Sequence, residues 1–485
     1  MARISAVCLI LTLTLFTYCL PARAQDNWSL QRCVDYAKAH NIQVKQSELQ
    51  ERLAKLTLEQ SRLSRLPTLS SSIDYGYNFG RSIDPTTNGF VNNTLAFSGV
   101  SANLGLSLFN WFQTRNTIAS NAYAAAAGKA MVEKLKNDIS LNVATAYLQI
   151  LLNKEQLKTN IEQLKLSRSQ LANTEKQVTA GALPQSNQAD LEAQVASDSA
   201  SLIVARNNVV MAILQMKALL NLDFSTAFDV SLPGNIDAVP LMDLQQHTPE
   251  SIYNEALQSQ PLVLADSLHV KAAEKSFAAA KGGYYPSLSL FAGMGTNYSS
   301  TYVRPAGETI IPIPPAGIGT VDINNTTYPV MSLPRELKQP DYEKPPLMTQ
   351  LSDLFRQNIG ISLNIPILNG WQVRSNVARA NINLLNQQFT REQDQLTLKQ
   401  TIYQAYADAR AAREQYLAMQ KAQEASQTAL DYASKRYELG LINSIGYLTT
   451  QNNLFKAETN TLTAKYNYIF KMKLLEFYRG QNIQL

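Results

Sequence analysis

Cysteine and histidine are scarce in this chain, with three of each in 485 residues. Cys8 and Cys19 stand in an N-terminal stretch that reads as a leader, so Cys33 alone remains and no intrachain disulfide is available. His40, His247 and His269 are scattered, and no group of His, Cys, Asp and Glu has metal-ligand spacing. No metal or other cofactor is expected. A GxSxG elbow and a phosphate-cradling glycine loop are both lacking, so enzyme chemistry is not expected either. Charged residues make up 17% of the chain, and no run of Lys and Arg is present. That argues against a nucleic-acid partner. Beyond the leader there is no run of about 18 apolar residues, which excludes an ordinary spanning helix. An exported chain of this composition enters a membrane only as a closed β-barrel.

The leader spans residues 1–25. Arg3 supplies its positive start, Val7 to Leu20 its apolar stretch, and Ala22-Arg23-Ala24 a cleavage site of small residues. A membrane anchor needs a longer stretch. Lipidation at Cys19 would need small residues where Phe16 and Tyr18 stand. Removing Arg3 and Arg23 leaves 41 Lys and Arg against 38 Asp and Glu, about +3, which is too mild to specify an acidic partner.

The remainder repeats itself once. Ala37 to Asn41 resembles Ala256 to Gln260, and Leu66 to Ser70 resembles Tyr285 to Ser289, both at an offset of 219. Further on the offset becomes 259: Leu108-Phe109-Asn110 matches Ile367-Leu368-Asn369, Ala146-Tyr147 matches Ala405-Tyr406, and Gly181 matches Gly440. The first repeat covers 26–250, with a connector at 223–250, and the second covers 251–485. The additional residues of the second fall between Ser289 and Ile367. There, nine prolines between Asn297 and Gln357 predict a long loop over 299–357. Its counterpart, Gly80 to Ala96, is short and polar.

Four segments alternate with period two and predict strands over about 68–80, 97–109, 286–298 and 358–367. Leu69, Ile73, Tyr75 and Tyr77 share one face of the first, and Ser70, Ser72, Asp74 and Gly76 the other. Val100, Leu104 and Leu106 oppose Ser101, Asn103 and Gly105 in the second; Leu288, Leu290 and Met294 oppose Ser289 and Gly293 in the third, with Phe291 out of pattern. Ile359, Ile361, Leu363, Ile365 and Ile367 make the apolar face of the fourth. A soluble sheet also alternates, but its wet face carries charges. A face of small polar residues fits a water-filled lumen, with the apolar face toward lipid. Four strands cannot enclose a lumen, so several protomers must share the barrel.

Between the second strand and Gly181 there is no proline and one glycine, Gly128. Val143, Ile150, Leu157, Leu164, Leu171 and Val178 recur at steps of seven, as do Val195, Leu202, Val209 and Met216. Ile402, Ala409, Tyr416, Leu430 and Tyr437 repeat the pattern, with Gln423 as an exception; Leu454, Tyr468 and Leu475 follow, with Thr461 as an exception. Such heptads predict helices packed at a shallow angle. Each repeat should hold one helix of about 68 residues, roughly 100 Å long, and two shorter ones. The hairpin tips fall near 181–184 (Gly181, Ala182, Leu183, Pro184) and 440–444 (Gly440, Leu441, Ile442, Asn443, Ser444).

The order helix, strand, strand, long helix, glycine tip, returning helix resembles the TolC-like outer membrane efflux proteins, over nearly all of the chain beyond the leader. Lys435 to Leu441 (KRYELGL), Pro67 and Pro286 before the strands, and the pairs Leu368-Asn369 and Phe109-Asn110 are its most specific residues. The resemblance implies a mainly α fold with a membrane β-barrel: long coiled-coil hairpins, two internal repeats, and four strands per protomer completing a twelve-stranded barrel in a homotrimer. It also implies an outer-membrane channel of a Gram-negative bacterium, a passive exit duct of a tripartite efflux or type I secretion system, with a periplasmic adaptor and an inner-membrane pump as partners. Gly181, Ala182, Leu183, Gly440, Leu441 and Ile442 would meet the adaptor, unless they serve the turn alone. Tyr437 would belong to the periplasmic gate, as would Asn187, Asp190 and Thr449, which stand six or nine positions after a tip glycine; Gly446 occupies the remaining such position. Acidic residues often stand there in the family, and Asp190 alone keeps a carboxylate. Two other readings fit parts of the pattern. One is an outer-membrane surface-binding protein using the Pro-rich loop as a ligand or receptor platform; the other is a periplasmic coiled-coil adaptor with no barrel.

Overall fold

The computed structural model describes residues 27–83, 88–92, 94–231 and 241–481. The leader at 1–25 and the connector residues Pro233, Gly234 and Pro240 lie outside these. The chain divides into two compact units. One holds the residues up to Leu58, Ala119–Lys275 and those from Ala380 on; the other holds Glu59–Ile118 and Ser276–Arg379.

The second unit is built on a four-stranded antiparallel sheet of β2 (Thr68–Asn78), β5 (Leu95–Phe109), β7 (Ser287–Ser299) and β12 (Arg356–Asn364), in the order β12-β7-β5-β2. Its centre joins the two repeats, because β5 pairs with β7. The register carries the alternation across all four strands. Ile73 lies opposite Val100, Leu104 opposite Ala292, and Ala292 opposite Ile359, which makes one continuous apolar face. That face is bare in the protomer: Leu69, Ile73, Ile359 and Ile361 are each at least 64% exposed. The other face carries a row of Ser70, Asn103, Gly293 and Asn358. Phe291 belongs to this polar face. Its ring lies against Gly360, where an added Cβ would come within 2.6 Å of it, so the exception is a large side chain matched to a glycine. Aromatic residues gather at both ends of the sheet. Tyr75, Tyr77 and Phe79 stand at one end, and Phe109, Trp111 and Tyr285 at the other, with Trp111 stacked on Tyr285 at 4.4 Å. About twelve residues of tilted strand separate them, a height of roughly 30 Å, which suits a hydrocarbon layer.

The fourth strand stops at Asn364, short of the expected Ile367. Pro366 has no N–H for the ladder, and Ile367 and Leu368 are each 92% exposed.

The expected loop over 299–357 is largely ordered. β8 (Arg304–Ile313) pairs with β11 (Arg335–Glu343), and β9 (Gly317–Ile323) pairs with β10 (Thr326–Met331), making a ribbon of two strands. A short helix, α7 (Leu347–Asp353), leads back into β12. Gln350 anchors it: its Oε1 accepts from Ser299 N at 3.3 Å and its Nε2 donates to Pro345 O. The prolines argue against strands in a sheet interior. In a two-stranded ribbon each strand is an edge, where the missing N–H can face water.

The first unit is helical. It holds α1 (Leu30–His40), most of α2 (Ile42–Leu63), most of α3 (Gln113–Thr179), α4 (Gln185–Leu220), α5 (Pro249–Ser259), most of α6 (Pro261–Gly282), most of α8 (Gln372–Glu438) and α9 (Ser444–Tyr478). The long helices α3 and α8 have 67 residues each. The heptad positions Val143, Ile150, Leu164, Met216, Ile402, Ala409, Leu454 and Leu475 are buried. Thr461 is buried too, and its hydroxyl lies 2.9 Å from the Met419 carbonyl on α8, so a polar residue at a packing position is satisfied across the helix pair. Helix α4 is long and apolar enough to cross a bilayer by length and composition. Its buried Asp198 nevertheless accepts bonds from Ser167 and Gln163 of α3, as a coiled-coil partner would.

The helix expected before each first strand is broken in two, at Asn41 and at Gln260. These are equivalent positions in the two repeats, and their side chains do equivalent work. Asn41 Nδ2 donates to Leu219 O, and Gln260 Nε2 donates to Phe477 O and Tyr478 O, which satisfies carbonyls near the ends of α4 and α9. Two buried clusters follow the same duplication: one around Cys33, Val143, Ile150 and Met216, the other around Ile252, Ile402, Met472 and Leu475.

Candidate functional site: the paired hairpin tips

The two tips share one backbone design. After α3, Gly181 takes φ +74°, Gly181 N donates to Val178 O, and Ala182 N donates to Gln177 O. After α8, Gly440 takes φ +70°, Gly440 N donates to Tyr437 O, and Leu441 N donates to Arg436 O. Both are Schellman closures, which need the left-handed residue that glycine adopts without strain. The next helix starts differently in each. Pro184 precedes α4 with no side-chain cap, whereas Asn443 caps α9 by accepting from Gly446 N at 3.0 Å. Gly181, Ala182, Gly440 and Leu441 are exposed, and Leu183 and Ile442 half-buried. Leu439, Leu441 and Ile445 form an exposed apolar rim at the second tip.

Behind the tips, polar side chains join the two hairpins. Ser444, 3% exposed, donates to Asp190 Oδ2 at 2.9 Å and lies 3.4 Å from Asn187 Oδ1. Two turns further, Gln194 and Asn452 exchange amide hydrogen bonds at 3.1 and 3.3 Å. Gln170 of α3 donates to the Tyr447 hydroxyl at 3.1 Å. Tyr447 in turn stacks on Tyr437, with ring centroids 5.0 Å apart. Burial, and then the neighbouring Tyr447, raise the Tyr437 hydroxyl above its ordinary pKa. Gln451 is 2% exposed, and neither of its amide atoms has a hydrogen-bond partner among the described residues.

Asn187 and Asp190 thus meet Ser444, and Tyr437 meets Tyr447, in two groups behind the tips, with Ser444 and Tyr447 as members that the tip-glycine spacing missed. Thr449 does not join them. It is exposed, and its hydroxyl donates to Ile445 O of its own helix at 2.7 Å. A signal for Tyr447 was present, since Tyr437 and Tyr447 lie almost equidistant from the turn and antiparallel helices bring such residues together. Nothing in the sequence marks Ser444, because its importance comes from facing the other repeat.

Comparison with known proteins agrees with this architecture. The profile of the outer membrane efflux protein family matches residues 33–222 and 347–477. The chain is 22% identical to outer membrane protein TolC of Escherichia coli (strain K12) over 451 residues, covering 91% of this chain and 80% of TolC. Its fold is similar to the crystal structure of CusC, with a TM-score of 0.74 and 16% identity over 93% of this chain and 92% of CusC. It is also similar to the CmeC outer membrane channel of Campylobacter jejuni, with a TM-score of 0.72 and 17% identity over 94% of this chain and 87% of that one. With its profile matched over well more than half its length, the chain belongs to the outer membrane efflux protein family, the outer-membrane exit ducts of efflux systems.

Proposed function

We infer that three copies of this chain share one twelve-stranded barrel, and that the duct so formed is opened at its helical tips by a periplasmic adaptor and an inner-membrane pump. One observation carries the reading: the sheet has a bare apolar face and two unpaired edges, β2 and β12. In a bilayer every backbone polar group needs a partner, so open edges must pair with those of neighbouring copies. Joining β12 of one protomer to β2 of the next is a head-to-tail contact, which closes into a ring. Twelve strands then enclose an aqueous lumen, lined by the small polar face.

The tips supply the moving part. Asp190, Asn187 and Ser444 hold the two hairpins of a protomer together, and Gln170 of the first hairpin holds the Tyr437–Tyr447 stack of the second. Gly181, Ala182, Leu183, Gly440, Leu441 and Ile442 form the surface offered to the adaptor, with the apolar rim of Leu439, Leu441 and Ile445 as its sticky part. Separating the hairpins breaks a few modest hydrogen bonds and no large buried core. Differential binding of the adaptor to the open form can supply that free energy. No feature of the ribbon favours the surface-binding alternative. The test is the mass of the detergent-extracted complex together with bilayer conductance. Three copies and a low conductance that rises when Ser444 is replaced are expected; a monomer, or extraction without detergent, would sink the reading.

A further inference from the structure

The ribbon from Arg304 to Glu343 has no counterpart of its size in the first repeat and lies outside the matched family profile. It is regular. Its turn, Asn324-Asn325, has both residues at positive φ, +51° and +65°, as a type I′ turn requires. Ser332 N donates to Ala316 O at 2.8 Å and links the inner ladder to the outer one. Every residue at 305–331 and 333–343 is exposed in the protomer. A lone two-stranded hairpin is marginal in water, so a ribbon of this length calls for a partner along one face.

The pairing shows which face. Ile311 lies opposite Leu337, Val321 opposite Tyr328, and Ile323 opposite Thr326, so one side of each ladder carries most of its large apolar side chains, with Arg335 and Asp341 at its margins and Ile310, opposite Lys338, as the exception on the other side. The reverse side carries Asp322 opposite Thr327 and Glu308 opposite Pro340. We propose that the apolar faces of the three ribbons of a trimer pack against one another, making a collar over the outer mouth of the duct. This rests on the shared barrel proposed above.

Reach, area and charge all favour a second copy of the chain as the occupant. The ribbon starts from the end of β7 and returns to the start of β12, the same end of the sheet as the β2–β5 turn. A twelve-stranded barrel is about 24 Å across, so the roots of three ribbons stand roughly 20 Å apart. Fifteen paired positions at about 3.3 Å give about 50 Å of ladder, which easily spans that gap. One face of such a ribbon, about 10 Å wide, offers roughly 500 Å², so the three faces together bury about 1,500 Å², close to the ~1,600 Å² total of a stable interface. Its charge disfavours an anionic lipid surface, since Arg304 to Glu343 hold three basic residues against five acidic ones. The root is fixed by Arg304, which pairs with Glu343 at 2.7 Å and Asp353 at 3.4 Å.

Labelling of single cysteines by a membrane-impermeant maleimide, on purified trimers of the full chain, tests the collar. Cys33 is 0% exposed, so the unmodified protein gives little background. Val321→Cys and Tyr328→Cys should react about tenfold more slowly than Asp322→Cys and Thr327→Cys on the opposite face. Equal rates in a complex of verified trimer mass would overturn the collar and leave the barrel standing. A mass other than three copies would remove both. Mixed trimers identify what covers the face. When one Val321→Cys protomer is assembled with two lacking residues 304–343, its rate should rise to that of Asp322→Cys. Continued protection would mean lipid or detergent covers the face, and would overturn the proposal.

Discussion

Replacing Ser444 and Asn452 together by alanine should unlatch the tips. The Ser444–Asp190 bond, at 2.9 Å, has an ionised acceptor and a buried donor. Such bonds are worth about 1.5–3 kcal/mol, and Asp190 is half-buried, so a figure near 1 kcal/mol is appropriate after screening. The two amide bonds between Gln194 and Asn452 are neutral and contribute about 0.5–1 kcal/mol each. Together the double variant loses about 2–3 kcal/mol per protomer, which multiplies the ratio of open to closed tips by roughly 30 to 150. Single-channel conductance in planar bilayers reads this as a larger open fraction. Sensitivity of cells to an antibiotic too large for the intact envelope reads it independently. Thr449→Ala serves as the control, since that hydroxyl bonds within its own helix and should change neither readout. Asp190→Ala combined with Ser444→Ala should cost less than the sum of the two alone, because they share one bond. An open fraction within about twofold of the parent in the double variant, with trimer mass and helical content unchanged, would refute the assignment of these residues to the latch.

Four further outcomes follow from individual residues. Burial pushes the Asp266 carboxyl up to about 6, with Asp394 adding to the rise and Arg391 opposing it. A carboxyl raised above its unfolded value of about 3.9 contributes its stability fully below about pH 4 and loses it as pH rises through 6, so Asp266→Asn should stabilise the fold at pH 7.5 by up to ~2–3 kcal/mol and flatten the pH dependence of denaturant midpoints between 4 and 6. Gly440→Ala meets no atom within 4 Å but places a Cβ at φ +70°; a local cost of about 1–2 kcal/mol is expected, seen as faster amide exchange around the tip with an unchanged melting temperature. Tyr147, 2% exposed, donates to Ser231 O at 2.6 Å beside the parallel pair β1 (Asn27–Trp28) and β6 (Asp229–Val230), so Tyr147→Phe should cost about 1 kcal/mol in chemical denaturation. Glu476→Ala removes both the 2.8 Å partner of Lys473, whose side chain is 5% exposed, and the acceptor of Met242 N; a loss of about 1–3 kcal/mol in chemical denaturation is expected.

What could be read in advance divides along physical lines. Heptads and strand alternation are local periodicities, and Val143 to Val178 or Leu69 to Tyr77 display them without reference to anything distant. The breaks at Asn41 and Gln260 do not show this way. At Asn41 the neighbours are ordinary helix formers and the break depends on an amide reaching a carbonyl far along the chain; at Gln260 the amide does the same, and Pro261 beside it is the one local mark of the boundary. The ribbon was hidden for a different reason. Pro312, Pro329 and Pro340 argue against a strand only where both edges are paired, and here they lie opposite Glu336, Thr320 and Glu308 in a ladder with free outer edges. At the tips, Asn187, Asp190 and Tyr437 could be reached by counting from glycine. Ser444 could not, because its role is defined by the opposite repeat and its own flanks read as a plain helix start.

The constant offset of 259 through the second part of each repeat gains a physical cause from the structure. Helices α3 and α8 are equally long, and each returning helix packs against its partner through buried heptad positions. One inserted residue would turn everything beyond it by about 100° and move Leu164 or Ala409 out of its seam, so insertions there are costly along the whole remaining length. At the turn between β7 and β12 no such register exists. An insertion placed there lengthens a hairpin without rotating any packed face, so the forty-residue ribbon from Arg304 to Glu343 occupies the one kind of position where growth leaves the duct intact. The same reasoning predicts that shortening the ribbon to a tight turn preserves trimer mass and conductance, whereas deleting a single residue near Leu164 abolishes assembly. Survival of assembly in the second variant would show that the coils tolerate slippage, and the matched offset would then need another explanation.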